Sequence, residues 1–348
     1  MRTKQIITAM LSILLVFSLA ACGNNNQAAP KETNGGAAAD APKDTAAPAK
    51  TVQKVKLVFG AGGTSGTYYP IGGALKTLFE KSDLIDSVTV EATGASVKNI
   101  QNIRDGLNQV AIVMSDVAYD AVSGTGNFKD GKVDIMGMAG LYPNVVQLVV
   151  TKKSGIHSVA DLKGKKVGVG EVGSGVEQSA KKVLAAAGLQ YGDLAMVDHT
   201  GYADSVQKMK DGNMDAAFFT SGVPNSNITD LQQSMDIELI PIDGEVAANL
   251  IKAYPFYEEF TIPKGDNKQY NLPNDVKMVA IKNMLIVSKD LSDDVVYEMT
   301  KSFYDYLGTD QVAVGALKDF NRDDMGKNLV APLHPGAKKF YEEKGLLK

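Results

Sequence analysis

The 348-residue chain has one cysteine, no tryptophan and three histidines. Its single thiol, Cys22, excludes an intrachain disulfide and any structural zinc site that needs two or more thiolates. The histidines, His157, His199 and His334, are far apart in sequence and have no carboxylate or cysteine at metal-ligand spacing. We therefore expect neither a metal centre nor a cofactor, and we interpret the histidines as ordinary surface or core side chains.

Arginine is also scarce, with Arg2, Arg104 and Arg322 the only ones among 36 basic residues. Few guanidinium groups means few bidentate clamps for a carboxylate or a phosphate. The formal net charge is −4, and no long basic stretch occurs in the body of the chain, which argues against nucleic acid as a partner. An anionic ligand would have to be held by donors other than arginine.

The first residues have the pattern of an export signal. Arg2 and Lys4 precede an almost wholly apolar run over residues 6–19. That run is shorter than the roughly 20 residues that a transmembrane helix needs, and small residues follow it. The pattern predicts a signal peptide over residues 1–21.

The segment Leu19-Ala20-Ala21-Cys22 resembles the lipobox of bacterial lipoproteins, in which the cysteine carries a diacylglycerol after cleavage. The resemblance implies lipidation of Cys22, a membrane anchor through that lipid and a location on the extracytoplasmic face of the cell membrane. A plain signal peptide followed by an incidental cysteine is the alternative. Residues 22–52 are rich in Ala, Asn, Pro, Gly, Asp and Lys without an apolar period, which predicts a disordered tether.

The body of the chain alternates short apolar strands with helices. Strands that end in turns rich in Gly, Ser or Thr are expected near residues 55–59, 88–92, 109–114, 166–169, 196–199 and 216–219. This alternation predicts an α/β protein of two lobes, each a mostly parallel sheet flanked by helices.

Two longer extended segments, 145–153 and 278–288, are the candidates for strands that cross between the lobes. With the crossings placed in these segments, residues 53–146 and 283–348 are expected to form lobe 1, and residues 147–282 are expected to form lobe 2. Helices that pack back on lobe 1 are expected over residues 293–307, 308–320 and 335–344.

The turns that follow the strands predict a binding site. In open parallel α/β sheets, ligands bind beyond the carboxyl ends of the strands. Each helix that starts there offers unpaired N–H groups and the positive end of its dipole. Several helix starts around one cleft would hold a carboxylate by backbone N–H groups and by Ser and Thr hydroxyls, without arginine.

The loop over residues 60–70 is the most specific of these turns. Its glycines permit close backbone approach, although a simple tight turn is the alternative. It is not a phosphate loop, because no Gly-Lys-Thr/Ser follows, and the Tyr-Tyr-Pro that follows does not fit a dinucleotide fingerprint. The candidate ligand contacts in this loop are Thr64, Ser65, Gly66, Thr67, Tyr68 and Tyr69.

Several motifs resemble those of TAXI-type solute receptors of TRAP transporters. They are Gly66-Thr67-Tyr68-Tyr69-Pro70-Ile71-Gly72-Gly73-Ala74-Leu75, Thr93-Gly94-Ala95-Ser96-Val97-Lys98-Asn99, Ser115-Asp116-Val117-Ala118-Tyr119, Gly173-Ser174-Gly175 and Pro332-Leu333-His334-Pro335-Gly336-Ala337. The resemblance extends over about residues 55–346. It implies a two-lobed, periplasmic-binding-protein-like fold of type II that closes on glutamate, glutamine or a related dicarboxylate and delivers it to a TRAP membrane permease.

Carried over residue by residue, the family's ligand contacts fall on the loop just described and on Ser96, Ser115, Ser174, Thr220, Ser221 and Gly222. Tyr202, in a later turn, could stack over the ligand or simply pack. Met114 departs from the family pattern, because members often have Gln there, and this puts the specificity in doubt.

Two other functions remain open. A receptor of the same kind could serve an ATP-driven importer with another ligand. An exported enzyme would need a nucleophile with a base, or paired acids. The chain has no Gly-x-Ser-x-Gly elbow and no cysteine free for this role, so we expect a receptor and not an enzyme.

Overall fold

The computed structural model describes residues 54–265 and 270–347. The predicted signal peptide, Cys22 and the predicted tether lie outside the described residues. The described strands are β1 (Val55–Gly60), β2 (Ile85–Glu91), β3 (Val110–Met114), β4 (Ile135–Thr151), β5 (Lys166–Gly168), β6 (Met196–Asp198), β7 (Ala216–Ser221), β8 (Ile237–Ile240), β9 (Tyr257–Ile262) and β10 (Val276–Ser288). The described helices are α1 (Tyr68–Phe79), α2 (Ser96–Arg104), α3 (Ser115–Ser123), α4 (Gly175–Ala186), α5 (Tyr202–Lys210), α6 (Ser226–Ser234), α7 (Gly244–Ala253), α8 (Asp293–Leu307), α9 (Gly315–Lys318) and α10 (Pro335–Glu343).

The longer helices form where apolar residues recur at helical spacing. In α1, Ile71, Leu75 and Phe79 are four residues apart and all are buried, so one face of the helix covers the sheet. In α8, the Ser292 hydroxyl caps the helix by accepting a hydrogen bond from the Val295 N–H. None of the helices among the described residues is long and apolar enough to cross a bilayer.

One hydrogen-bonded sheet runs through both halves of the body. Its strand order is β2-β1-β3-β10-β4-β7-β5-β6, with β8 beside β4 and β9 beside β10. β1 pairs in parallel with β2 and β3, and β5 pairs in parallel with β6 and β7. The pairs that involve β4 and β10 are antiparallel. The predicted α/β fold of two lobes is confirmed. The parallel strands lie toward the two ends of the sheet, and the long antiparallel strands β4 and β10 lie between them.

The strands β4 and β10 pass from one lobe to the other. Residues 135–140 of β4 pair with the part of β10 that lies beside β3, whereas residues 145–150 pair with β7. Pro143 lies opposite Lys282, next to a register shift. Proline cannot donate to a ladder and is tolerated at such irregularities. The predicted lobe boundaries fall inside these two strands.

Two hydrophobic clusters hold the helices on the sheet. One lies between the lobe 1 strands and the helices α1, α8 and α10, and includes Phe59, Ile71, Phe303 and Phe340. The other begins under α2 and α3 and continues through lobe 2. Full burial of one such side chain contributes about 1.5–3 kcal/mol, so the clusters fix the helix starts relative to the strands.

The C-terminal part of lobe 1 differs from the prediction in one segment. The prediction of a helix over residues 308–320 is wrong, because only Gly315–Lys318 is an α-helix in this segment. Gly308 follows the last residue of α8, and the Thr309 hydroxyl bonds back to the Tyr306 carbonyl, which ends the helix and turns the chain. The two helices expected over residues 293–307 and 335–344 are present as α8 and α10.

Candidate functional site

The candidate site is a cavity of about 230 Å³, called here the interlobe cavity, with lining residues from both lobes. Four helices start at its wall. α1 and α2 approach from lobe 1, and α4 and α5 approach from lobe 2. The predicted meeting of several helix starts around one space is therefore seen in the geometry.

The lobe 1 wall is formed by the starts of α1 and α2. Thr67 precedes α1 and Ala95 precedes α2, and neither helix has a side-chain cap or an acidic residue in its first turn. Ala95 has a φ of 61°, a positive value that residues other than glycine rarely adopt, and the chain turns there into α2. Ser96 is fully buried, and its hydroxyl accepts a hydrogen bond from the Met114 N–H at 3.1 Å, so it ties α2 to the end of β3.

The lobe 2 wall is formed by the starts of α4 and α5, and both carry acids. The Ser174 hydroxyl caps α4 by accepting from the Glu177 N–H at 3.1 Å, and the Glu177 carboxylate accepts from the Gly173 N–H at 2.7 Å. Asp204 lies in the first turn of α5. A Cβ on Gly201 would lie 3.3 Å from a carboxylate oxygen of Glu171, so that carboxylate lies against the start of α5.

A chain of hydrogen bonds joins the cavity to the crossing strands. The Tyr68 hydroxyl donates to Asn283 Oδ1 at 2.6 Å, and Asn283 Nδ2 donates to the Tyr142 carbonyl at 2.9 Å. Asn144 Nδ2 donates to the Tyr68 hydroxyl at 3.2 Å. Burial raises the pKa of Tyr68, so its hydroxyl remains protonated and keeps its donor role.

Two buried side-chain polar atoms of cavity-lining residues have no hydrogen-bond partner within residues 54–265 and 270–347. They are Asn144 Oδ1 and Thr220 Oγ1, and both side chains are almost fully buried. A buried polar atom without a partner costs about 1–3 kcal/mol. These two atoms are therefore candidates for contacts with a bound molecule.

The charge at the cavity wall is negative. Glu171 and Asp204 line it, and no Lys, Arg or His of the described residues does. Partial burial raises the pKa of Glu171, and the nearby negative charge of Asp204 raises it further. A positive charge near the wall would favour the ionised form of Glu171, because it offsets both the cost of burial and the repulsion from Asp204.

Most of the predicted contact residues line the interlobe cavity. They are Thr64, Ser65, Gly66, Thr67, Tyr68, Ser96, Ser174, Tyr202, Thr220 and Ser221. The Tyr202 hydroxyl donates to the Thr220 carbonyl at 2.8 Å, and its ring lies 5.1 Å from that of Phe219, so the side chain is braced against β7.

Three predicted contact residues lie outside the interlobe cavity. Tyr69 packs at the edge of the lobe 1 hydrophobic cluster. The Ser115 hydroxyl donates to the Lys282 carbonyl at 2.8 Å. Ser115 and Gly222 both line a second cavity of about 620 Å³ instead. The reason is local, because α3 starts one residue beyond Met114, and Met114 itself reaches the interlobe cavity.

Four polar residues that line the cavity were not assigned to the site from the sequence: Asn144, Glu171, Thr200 and Asp204. Asn144 is a polar residue in a mostly apolar strand, a signal that it shares with Gln147. Glu171 and Asp204 belong to the same turns as Ser174 and Tyr202, and their charge was a usable signal.

The two lobes contact each other directly around the interlobe cavity. The Val97 N–H donates to the Gly173 carbonyl at 3.2 Å, and Asn227 Nδ2 donates to the Ser65 carbonyl at 2.8 Å. Asp116 of α3 forms an ion pair with Lys182 of α4, and both side chains are largely buried. The structure is therefore a closed arrangement of the lobes.

No group of three His, Cys, Asp or Glu side chains that could hold a metal ion occurs in the described ranges. The fold and the cavity define a two-lobed α/β protein with a small-molecule-sized space between its lobes. Residues 59–345 match the NMT1-like family, and the chain belongs to the NMT1-like family.

Solved structures with a similar course of the chain include three binding proteins. PhnD1 from Prochlorococcus marinus in complex with methylphosphonate is 10% identical, with 84% of this chain and 99% of that chain covered and a TM-score of 0.49. The alkanesulfonate-binding protein SsuA from Xanthomonas axonopodis pv. citri, bound to MOPS, is 15% identical, with 84% and 80% covered and a TM-score of 0.45.

The third is a binding protein component of an ABC phosphonate transporter from Pseudomonas aeruginosa. It is 12% identical, with 76% of this chain and 78% of that chain covered and a TM-score of 0.47. With TM-scores below 0.5, these likenesses say nothing about the ligand of this chain.

Proposed function

We propose that the protein is an extracytoplasmic receptor that binds a small carboxylate-bearing solute in the interlobe cavity and delivers it to a membrane transporter. The observation that carries the proposal is the meeting of four helix starts at one space between the two lobes. Such a space fits capture and release by lobe movement.

The carboxylate is held at the starts of α1 and α2. Neither helix has an acid in its first turn, so the partial positive charge of about half a unit at each start is not neutralised locally. The hydroxyls of Thr64, Ser65 and Thr67 add donors from the loop before α1. This arrangement needs no arginine, which agrees with the scarcity of arginine in the chain.

Two kinds of transporter are candidate partners. The motif resemblance supports a TRAP permease of the TAXI type, with glutamate, glutamine or a related dicarboxylate as ligand. The second candidate is an ATP-driven importer, the kind of transporter to which the Pseudomonas protein belongs. One of the named structures is a binding protein component of such an importer, whereas the TRAP permease is supported by the motifs alone. In both cases the proposal includes an anchor through a lipid on Cys22.

Thermal unfolding of the purified protein without residues 1–22, screened against amino acids, dicarboxylates, sulfonates and phosphonates, tests the receptor function. A bound ligand at 100 times its Kd stabilises the folded state by about 2.7 kcal/mol and raises the Tm. We expect a shift with at least one carboxylate, and a weaker shift for Thr67→Ala. Thr77→Ala, on the exposed face of α1, is the matched control. No shift with any of these compounds would contradict the proposal.

Uptake of the labelled ligand into membrane vesicles distinguishes the two partners. Uptake that stops when the ion gradient is collapsed indicates the TRAP permease. Uptake that requires ATP inside the vesicles and survives collapse of the gradient indicates the importer.

A further inference from the structure

Gly222 lies outside the interlobe cavity, and its surroundings indicate a role other than ligand contact. It directly follows β7 of lobe 2. A Cβ on Gly222 would lie only 2.8 Å from the Ala316 Cβ. The same Cβ would lie 3.2 Å from Tyr142 Cε2 and 3.5 Å from Thr67 Cγ2. Tyr142 and Ala316 pack with the lobe 1 hydrophobic cluster, and Thr67 precedes α1, so lobe 2 lies directly against lobe 1 at Gly222.

The turn that carries Ala316 is fixed on lobe 1. It is the short helix α9, and the neighbouring Leu317 side chain is buried in the lobe 1 cluster. Further along the same segment, the Met325 carbonyl accepts a hydrogen bond from the Gly140 N–H of β4 at 2.6 Å. The Ala316 methyl group is attached directly to this backbone and cannot swing aside as the end of a long side chain could. The close approach therefore leaves no room for a Cβ at Gly222.

The contact between Gly222 and Ala316 lies close to the crossing strands. Ser221, the residue before Gly222, pairs with Val145 of β4. Ser221 lines the interlobe cavity, whereas Gly222 and Ala316 line the second cavity. A displacement near a hinge grows with distance from the hinge, so a small separation at this contact opens the far side of the cleft by more.

The backbone at Gly222 does not itself require glycine. Its φ is not in the left-handed region, so an alanine there would adopt the same conformation without strain. The demand for glycine comes from the neighbouring atoms of lobe 1 alone. An added methyl group should therefore raise the free energy of the closed arrangement, and movement of the lobes apart would relieve it.

Resting on the proposed receptor function, we propose that Gly222 and Ala316 form the contact that permits lobe closure. Both are positioning residues for ligand binding, because neither lines the interlobe cavity. Gly222 leaves the space that the Ala316 methyl group occupies when the lobes are closed. A ligand held between both lobes binds the closed form, so a substitution that disfavours closure weakens binding without touching the ligand.

Gly222→Ala tests this role, with the compound that most raises the Tm of the native protein as the probe. Its Kd should rise at least about tenfold, because only the molecules that can close bind it. Urea unfolding without the compound should change little. Gly315→Ala, one residue before Ala316, is the matched control, since a Cβ there meets no atom within 4 Å, and it should bind like the native protein. Native affinity in Gly222→Ala overturns the inference, and so does easier urea unfolding, which would assign the glycine to the fold.

The double variant Gly222→Ala/Ala316→Gly moves the methyl group from one side of the contact to the other. It removes the 2.8 Å approach and leaves only the neighbours at 3.2 and 3.5 Å, which need a small adjustment. Most of the lost affinity should return, and Ala316→Gly alone should bind much as the native protein does. A double variant that binds as weakly as Gly222→Ala overturns the role of Ala316.

The distance between the lobes provides a readout that does not depend on affinity. The chain without residues 1–22 has no cysteine, so Lys98→Cys in α2 and Lys181→Cys in α4 place one spin label on each lobe at exposed positions. Pulsed electron paramagnetic resonance, without the compound and at saturation, should give longer distances when Gly222→Ala is added. The distances should return to the native values when Ala316→Gly is added as well.

The outcomes separate this inference from the receptor function. Equal distance distributions with and without Gly222→Ala overturn the inference and leave the receptor function intact. If no amino acid, dicarboxylate, sulfonate or phosphonate raises the Tm, the proposed function is wrong, and the lobe distances alone decide whether the contact controls closure.

Discussion

At the residue scale, the hydroxyls around the interlobe cavity divide into those that hold the fold and those that remain free. The Ser96 and Ser174 oxygens each already accept one backbone N–H group, so each has one lone pair and its own proton left for a ligand. The Ser221 hydroxyl donates to the Gly222 carbonyl. Thr220 differs, because its oxygen has no partner among the described residues.

Thr220→Val replaces this hydroxyl by a methyl group of similar shape. The free protein should be as stable as the native one or more so, since a buried unpartnered hydroxyl is removed. Ligand affinity should fall about fivefold, the equivalent of one hydrogen bond of about 1 kcal/mol. Urea unfolding without ligand and titration with ligand check both parts.

Thr300→Val is the control for this substitution. Thr300 is buried in α8, where its hydroxyl donates to the Val296 carbonyl at 2.7 Å, and it does not line the interlobe cavity. The control should lose stability and keep its affinity. A Thr220→Val protein with full affinity would show that the hydroxyl does not contact the ligand.

The sequence predicted the residues of the cavity whose role follows from their own turn. Thr64 to Tyr68 and Ser174 were found because glycine and hydroxyl residues precede a helix. Asn144 could not be found in this way, because its free oxygen results from bonds among Tyr68, Tyr142 and Asn283, which are distant in sequence.

At the element scale, the strand–turn–helix units were predictable, because each has a strong apolar period and a clear turn. The elements α6, α7, β8 and β9 were not assigned from the sequence. α6 is mostly polar, with only Asn227, Ile228 and Leu231 buried, and β9 is a short strand beside β10. The early start of β4 was missed because Pro143 in its middle suggests a break.

The start of α10 provides a pH-dependent element. His334 Nδ1 accepts from the Gly336 N–H at 3.2 Å, and Nε2 lies 3.1 Å from the Leu291 carbonyl, so the neutral ring with a proton on Nε2 satisfies both partners. Burial lowers the pKa of His334, and the Leu291 carbonyl and Asp293 oppose this effect only in part.

We expect the free energy of unfolding to fall as the pH drops below about 6.5, the ordinary value for histidine. In that range the histidine of the unfolded chain is protonated more readily than His334 in the folded protein, so lowering the pH favours unfolding. His334→Asn, which can still cap the helix, should flatten the dependence between pH 7.5 and 5 in urea unfolding. His157→Asn, at an exposed site, should keep it. An unchanged slope in His334→Asn would contradict this account.

At the scale of the whole molecule, contacts between α3 and α4 hold the lobes closed. The Asp116 carboxylate pairs with Lys182, accepts from the Val117 N–H at 2.8 Å and lies beside the Tyr257 hydroxyl. Asp116 also lies in the first turn of α3, where an acid favours the helix dipole. Its partner lies 66 residues away in the other lobe, which no local pattern reveals.

Lys182→Met leaves the buried Asp116 carboxylate without its cation. Breaking a buried pair by removal of one partner costs about 3–5 kcal/mol. Because the pair spans the lobes, we expect lower ligand affinity as well as lower stability. The double variant Asp116→Asn/Lys182→Met should recover most of the stability in urea unfolding. A double variant as unstable as Lys182→Met alone would show that the charge pair is not the cause.

Hydrogen–deuterium exchange of the protein with the compound that stabilises it most tests the central claim directly. Four helix starts around one cavity predict slower exchange at residues 64–68, 95–97, 173–176 and 200–204 when the compound is bound. Protection confined to the residues that line the second cavity, or none at these four turns, would contradict the account.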